Sequence, residues 1–241
     1  MGSEGKRTSS WTTPSLSSES ASPTAVNFLA LPIGIRKKIY KRVLLVSHPL
    51  YLSQEPGSRV ETFAPEKPNR WLAILYTNRQ IYHEASAALY GTNHFQLVDT
   101  TEQQVHLLRS FLDCIGAANA DSLSHLSINF PVTESIHGQP GRVELREDSL
   151  QTLQLLRDSC TNLSTLETLV HSKNSDVFKT TDDSLQEALS LIDARFKGIP
   201  SLRKIVVRFF VYDGVPSATA KDIMQGLGWV LLSGDRDEHS G

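Results

Sequence analysis

His83 and Glu84 stand side by side in a stretch with helical periodicity, which is how a helical zinc-protease motif begins. That chemistry needs a second imidazole four residues after the first, so that both rings meet the metal from one helix face. The position holds Ala87, so His83 is read as a partly exposed helix residue. The other histidines (His48, His94, His106, His125, His137, His171 and His239) fall one per expected element, none at ligand spacing from a cysteine or carboxylate. Cys114 and Cys160 lie on separate apolar stretches and are expected as buried free thiols. No P-loop, paired-glycine dinucleotide fingerprint or nucleophile elbow is present. The residues therefore assign no catalytic role, no cofactor and no metal. An enzyme assembled from distant residues is the weakest reading.

The concentrated feature is a basic helix. From Phe28 to Leu45 the chain reads FLALPIGIRKKIYKRVLL. Pro32 suits a first helical turn, where its missing N–H has no intrahelical partner. Ile35, Ile39 and Val43 recur every four residues, widened by Leu44 and Val46, and this side is expected to bury. Arg36, Lys37, Lys38, Lys41 and Arg42 fill the other side. Such a run is most often a solvated face. It would also suit nucleic acid, although no aromatic or glycine interleaving supports that, or an acidic protein partner.

Composition bounds the rest. The chain has 241 residues, 39% hydrophobic and 21% charged, with a formal net charge of -2. That is room for one sizeable core or two small domains, and no overall attraction to polyanions. Residues 1–25 are rich in Ser and Thr, carry no apolar signal region, and are expected to be a disordered tail. No apolar run is long enough to cross a bilayer. Neither nucleic acid nor membrane is an expected partner, and the expected location is cytoplasmic and/or nuclear.

Helical spacing predicts a helix from about Pro32 to Val46, then a short strand at Leu50–Leu52 and an exposed loop over 53–69. Asn69 is expected to cap one long helix from about Arg70 to Tyr90, with Arg79, Tyr76 and Tyr82 on its apolar face. His94–Val98 alternates as a strand that would pair with Leu50–Leu52. Beyond Thr100 the pattern becomes a coarse repeat of helix, polar turn and strand. The strands are announced by LSHLSI, LETLV and LRKIVV. Helix–strand alternation implies a mostly parallel sheet with crossover helices. It has the look of an irregular leucine-rich-repeat arc lacking the asparagine ladder of regular repeats.

Two segments carry a family resemblance. LPIGIRKKIYKRVLL resembles the opening of an F-box, and ILYTNRQIYHEASAALYGTNHF (Ile74–Phe95) resembles the segment that follows it in F-box-like proteins of filamentous fungi. The match covers Phe28 to Val98, less than a third of the chain, and departs from the family at Gly34, where an acidic residue is usual. Taken with the helix–strand pattern beyond Thr100, the resemblance divides an α/β chain into four parts. After the tail come an F-box-like helical module at 26–98 and a leucine-rich-repeat-like helix–strand domain at 99–232, with a flexible end at 233–241. It further implies a protein-interaction adaptor that binds a Skp-type partner of a cullin-RING ubiquitin ligase and presents an unknown protein client. Leu31, Pro32, Ile35 and Ile39 would dock, with Lys37, Lys38 and Lys41 at the rim. The alternative is a stand-alone interaction domain with the F-box-like segment absorbed into its core.

Overall fold

In the computed structural model the described residues are 27–55, 57–100, 102–136, 138, 142–210 and 217–234. The expected tail at 1–25, Thr101, Val211 and the chain end beyond Gly234 lie outside them. The chain forms a mixed α/β structure around a seven-stranded, mostly parallel sheet.

A 3-10 turn at Phe28–Ala30 leads through Leu31-Pro32 into α1 (Ile33–Leu44). β1 (Leu50–Ser53) follows, then β2 (Glu61–Phe63), which pairs with β1 antiparallel inside the stretch expected to be loop. The long helix expected over 70–90 is broken. Trp71–Tyr76 is a 3-10 helix, Asn78 is extended, and α2 begins at Arg79 and runs to Thr92. Asn78 marks the break, where its side chain accepts a hydrogen bond from the Gln80 N–H at 2.8 Å and caps a new helix.

Alternating strands and helices then follow. They are β3 (His94–Leu97), α3 (Gln104–Ile115), α4 (Ala117–Ser122), β4 (His125–Asn129), the hairpin β5 (Thr133–Ser135) with β6 (Val143–Leu145), and α5 (Glu147–Ser159). β7 (Thr165–Val170), α6 (Asp182–Lys197), β8 (Lys204–Phe209), α7 (Ala218–Gly226) and β9 (Val230–Ser233) complete the order. Gly116 ends α3 at φ 77, where a Cβ would strain the backbone.

The strand order is β2-β1-β3-β4-β7-β8-β9, and every pairing from β1 to β9 is parallel. Each new strand is added on the same side of the last. The helices α3, α5, α6 and α7 that connect them pack on one face. Alternate strand residues (Phe95 and Leu97, Leu126 and Ile128, Leu166 and Val170, Val207 and Phe209) join one core with Leu108 and Phe111 of α3, Leu156 of α5, Leu189 and Phe196 of α6, and Met224 of α7. The opposite face carries the alternate set: Gln96, Ser127, Glu167 and Arg208. No described helix is long and apolar enough to cross a membrane.

A second, smaller core lies between α1 and α2, built from Tyr40, Leu44, Ile81, Ala85 and Leu89. Asn93 fastens the ends of both helices. Its amide accepts from Val46 N–H at 2.9 Å and donates to the carbonyls of Leu44 at 3.0 Å and Leu89 at 2.9 Å. Asn93 is 1% exposed, so Asn93→Ala leaves buried backbone groups without partners. The expected loss is roughly 2–4 kcal/mol, read as a lower midpoint in urea unfolding with an unchanged slope.

Candidate functional site: an exposed helix row and a polar sheet face

α1 buries a different face from the one its apolar spacing suggests. Arg36, Tyr40 and Leu44 form the buried row, whereas Ile35 is 44% and Val43 40% exposed and Ile39 is half-buried. The rows are offset by one residue, about 100° around the helix axis. The expectation that Ile35, Ile39 and Val43 bury, with Arg36 in solvent, is therefore overturned.

The cause is Glu84 of α2. Arg36 grips it with both prongs, Nε to Oε2 at 2.8 Å and Nη2 to Oε1 at 2.7 Å. Tyr40 Oη donates to Oε2 at 2.9 Å and Gln80 Nε2 to Oε1 at 2.9 Å. The remaining guanidinium nitrogen donates to the carbonyls of Leu29 at 3.1 Å and Leu31 at 2.5 Å. A planar fork with this many donors suits a carboxylate and two carbonyls at once, which a lysine there would not. Arg36 thus orients the Leu31-Pro32 lead-in as well as the helix. Hydrogen bonding from Arg36 holds the Glu84 carboxyl down at about 2, against the opposing effect of burial. Burial and the hydrogen bond to Glu84 push the Tyr40 hydroxyl up to about 12.

With that face occupied, Pro32, Ile33 (45% exposed), Ile35 and Val43 meet solvent, and Leu31 and Ile39 are half-buried. Lys37, Lys38, Lys41 and Arg42 are exposed, and none forms an ion pair among the described residues. The expected docking residues therefore share one helix and its lead-in, with their apolar members side by side.

A second constellation lies on the sheet face opposite the main core. His94 opens β3 and His125 opens β4, and the two are partners in register. Adjacent strands run about 4.8 Å apart, so two imidazoles on paired residues must meet. Their rings stack at 3.7 Å, 1° from parallel. Glu167, opposite Ser127 on the next strand, brings Oε2 to 3.8 Å from His125 Nε2, too far for a direct hydrogen bond. Arg208 Nε holds the other oxygen at 2.5 Å, and its Nη1 donates to the Gly234 carbonyl at 3.1 Å. Ser127 Oγ lies 2.5 Å from His94 Nε2. Burial, and then the neighbouring His125, drive the His94 imidazole down to about 3. Burial alone would raise the Glu167 carboxyl, but the adjacent His125 and Arg208 outweigh it and bring it to about 2. Linear spacing does not reveal this group. The available signal is parity: each histidine precedes a core residue (His94-Phe95, His125-Leu126) at a strand start, and Glu167 interrupts the apolar LETLV.

Elsewhere several expectations fail. Arg79 is exposed at the start of α2, and Tyr76 (83%) and Tyr82 (43%) are exposed rather than core. The broken helix turns that face outward. Cys114 is exposed, whereas Cys160 is buried with its thiol pushed up to about 12, an inert structural cysteine. A cleft of about 680 Å³ opens beside the carboxyl ends of β3, β4 and β7, lined by Asp99, Glu102, Asn129, Arg146 and Lys173 among others. Its main polar groups are committed internally, Asn129 to Asp99 and Gln104 and Arg146 to Asp148. Comparison of the chain with protein-family models, with curated proteins and with solved structures yields no match.

The Glu84 carboxyl sits lower in the folded state than its ordinary value of 4.5, so its contribution to stability is complete above that value. It is lost as pH falls from about 4.5 toward about 2. Urea unfolding of wild type and Glu84→Gln across this range should show the variant less stable at neutral pH and the difference shrinking as acid is added.

Proposed function

We propose that this chain is a protein-interaction adaptor. α1 docks on an acidic, Skp-type partner of a cullin-RING ubiquitin ligase, and the helix–strand layer holds a protein client. The observation that carries the reading is the exposed apolar row of α1 beside exposed cations without ion-pair partners, on a helix pinned by the Arg36–Glu84 clamp. Apolar groups left uncovered on a rigid element, with charge at the rim, suit an interface whose core desolvates while its edge steers encounter.

The resemblance of LPIGIRKKIY to an F-box opening supports the same assignment, with Leu31, Pro32, Ile35 and Ile39 as the docking set and Lys37, Lys38 and Lys41 at its edge. The consecutive order of the parallel strands, one crossover to each, supports an irregular leucine-rich-repeat-like arc as the client-bearing part. Such a protein performs no chemistry. It raises the concentration of client near the ubiquitin-transfer machinery, in the cytoplasm and/or nucleus.

One observation favours the rival reading, a stand-alone interaction domain. β1 and β3, which lie within the F-box-like module at 26–98, belong to the same sheet as β4, β7, β8 and β9. The segment is thus joined to the rest by backbone hydrogen bonds.

Binding of the purified chain to a Skp-type adaptor separates the two. Ile35→Asp and the Leu31→Ala/Pro32→Ala double variant should each weaken capture at least ~10-fold with an unchanged circular dichroism spectrum. Lys37→Glu with Lys41→Glu should mainly slow association and reduce its salt dependence. Failure of the well-folded wild type to bind would favour the stand-alone domain.

A further inference from the structure

We propose that His94, His125 and Glu167 bind a divalent transition-metal ion of the zinc class, joining β3, β4 and β7 on the sheet face opposite the main core. Each residue offers one ligand atom, and these atoms all lie within 4.8 Å of one another. Two imidazole nitrogens and a carboxylate oxygen are the donor types that zinc takes and that calcium and magnesium, which favour all-oxygen shells, do not.

The detail of the cluster fits an ion better than it fits a self-contained polar network. His125 Nε2 is shut off from solvent and has no hydrogen-bond partner among the described residues. Buried polar atoms are almost always satisfied, and one aimed at a carboxylate 3.8 Å away has room for a bridging cation. The strand register holds the two rings face to face, so the imidazoles tilt toward one another for one ion to lie in the plane of both. Bonds to zinc of about 2.0–2.1 Å place tetrahedral ligand atoms about 3.3 Å apart, so small side-chain rotations close the set.

Glu167 is prepared for the role. Arg208 occupies Oε1 and leaves Oε2 facing His125. An outer partner on the far oxygen orients a ligating carboxylate, as is usual around protein-bound metals. Arg208 is itself anchored on the Gly234 carbonyl. The fourth position falls to water, and Ser127, now hydrogen-bonded to His94 Nε2 at 2.5 Å, releases that nitrogen if it is the one that binds. All the ligands sit on strands, so the site is preorganised by backbone pairing.

The test uses the full chain, stripped with a chelator and titrated with Zn²⁺ by calorimetry. X-ray absorption at the zinc edge is recorded on the loaded protein. The expected result is one ion per chain with two imidazole nitrogens and oxygen in the first shell. His125→Ala is the informative variant, because its Nε2 makes no hydrogen bond whose loss would disturb the metal-free fold. It should retain the wild-type circular dichroism spectrum and lose at least ~10-fold in Zn²⁺ affinity. No zinc uptake by folded wild type would overturn the proposal, as would equal uptake by folded His125→Ala. The absorption spectrum decides without any variant: a shell containing sulfur, or lacking two imidazoles, places the ion elsewhere and sinks the assignment.

Discussion

One carboxylate decides how the first third of the chain is arranged. Glu84 accepts from Arg36, Tyr40 and Gln80, and the same guanidinium closes on the carbonyls of Leu29 and Leu31. A charge pair withdrawn from water is tolerable only when nearly every lone pair and proton is used, and here nearly all are. That requirement sets the rotation of α1. Once Arg36 must face α2, Tyr40 and Leu44 follow it inward one and two turns later, and Ile35, Ile39 and Val43 are left alongside. A polar demand thus overrides the apolar pattern, and the proposed docking surface exists because of it.

The sheet obeys a simpler constraint. Parallel strands laid down in chain order place the crossover helices together, so one face becomes the core and the other is free to be polar. Pairing in register then brings together residues that are far apart along the chain. His94, His125, Glu167 and Arg208 meet because each occupies the outward parity on neighbouring strands.

Much of this architecture is legible in the residues. Leucine and isoleucine at helical spacing locate α3, α5 and α6, and Gly116 marks where α3 stops. Leu126, Ile128 and Phe130 alternate through β4 and just past it into the core, and the mostly parallel α/β sheet follows from helix–strand alternation. What cannot be read is decided by long-range partners. β2 is three residues with no buried side chain, so nothing in its composition marks it; only the β1 edge makes it a strand. Asn78 and Asn69 are equally good caps in isolation, and the break at Asn78 depends on how the Trp71–Tyr76 turn packs between the helices. Arg36 looks like its lysine neighbours until Glu84 is brought beside it. The histidine pair fails for the same reason, because linear spacing carries no information about register.

The consecutive strand order also bears on how the chain acquires its fold. Each parallel strand from β3 onward lies beside the one the chain has just finished, so no sheet pairing waits for a distant segment. Loop closure is then met in similar, modest steps, one helix and one strand at a time. Such an order permits growth like the zippering of repeat proteins, each unit offering a fresh edge to the next. The β5–β6 hairpin, which pairs only with itself, can enter between β4 and α5 without disturbing that progression.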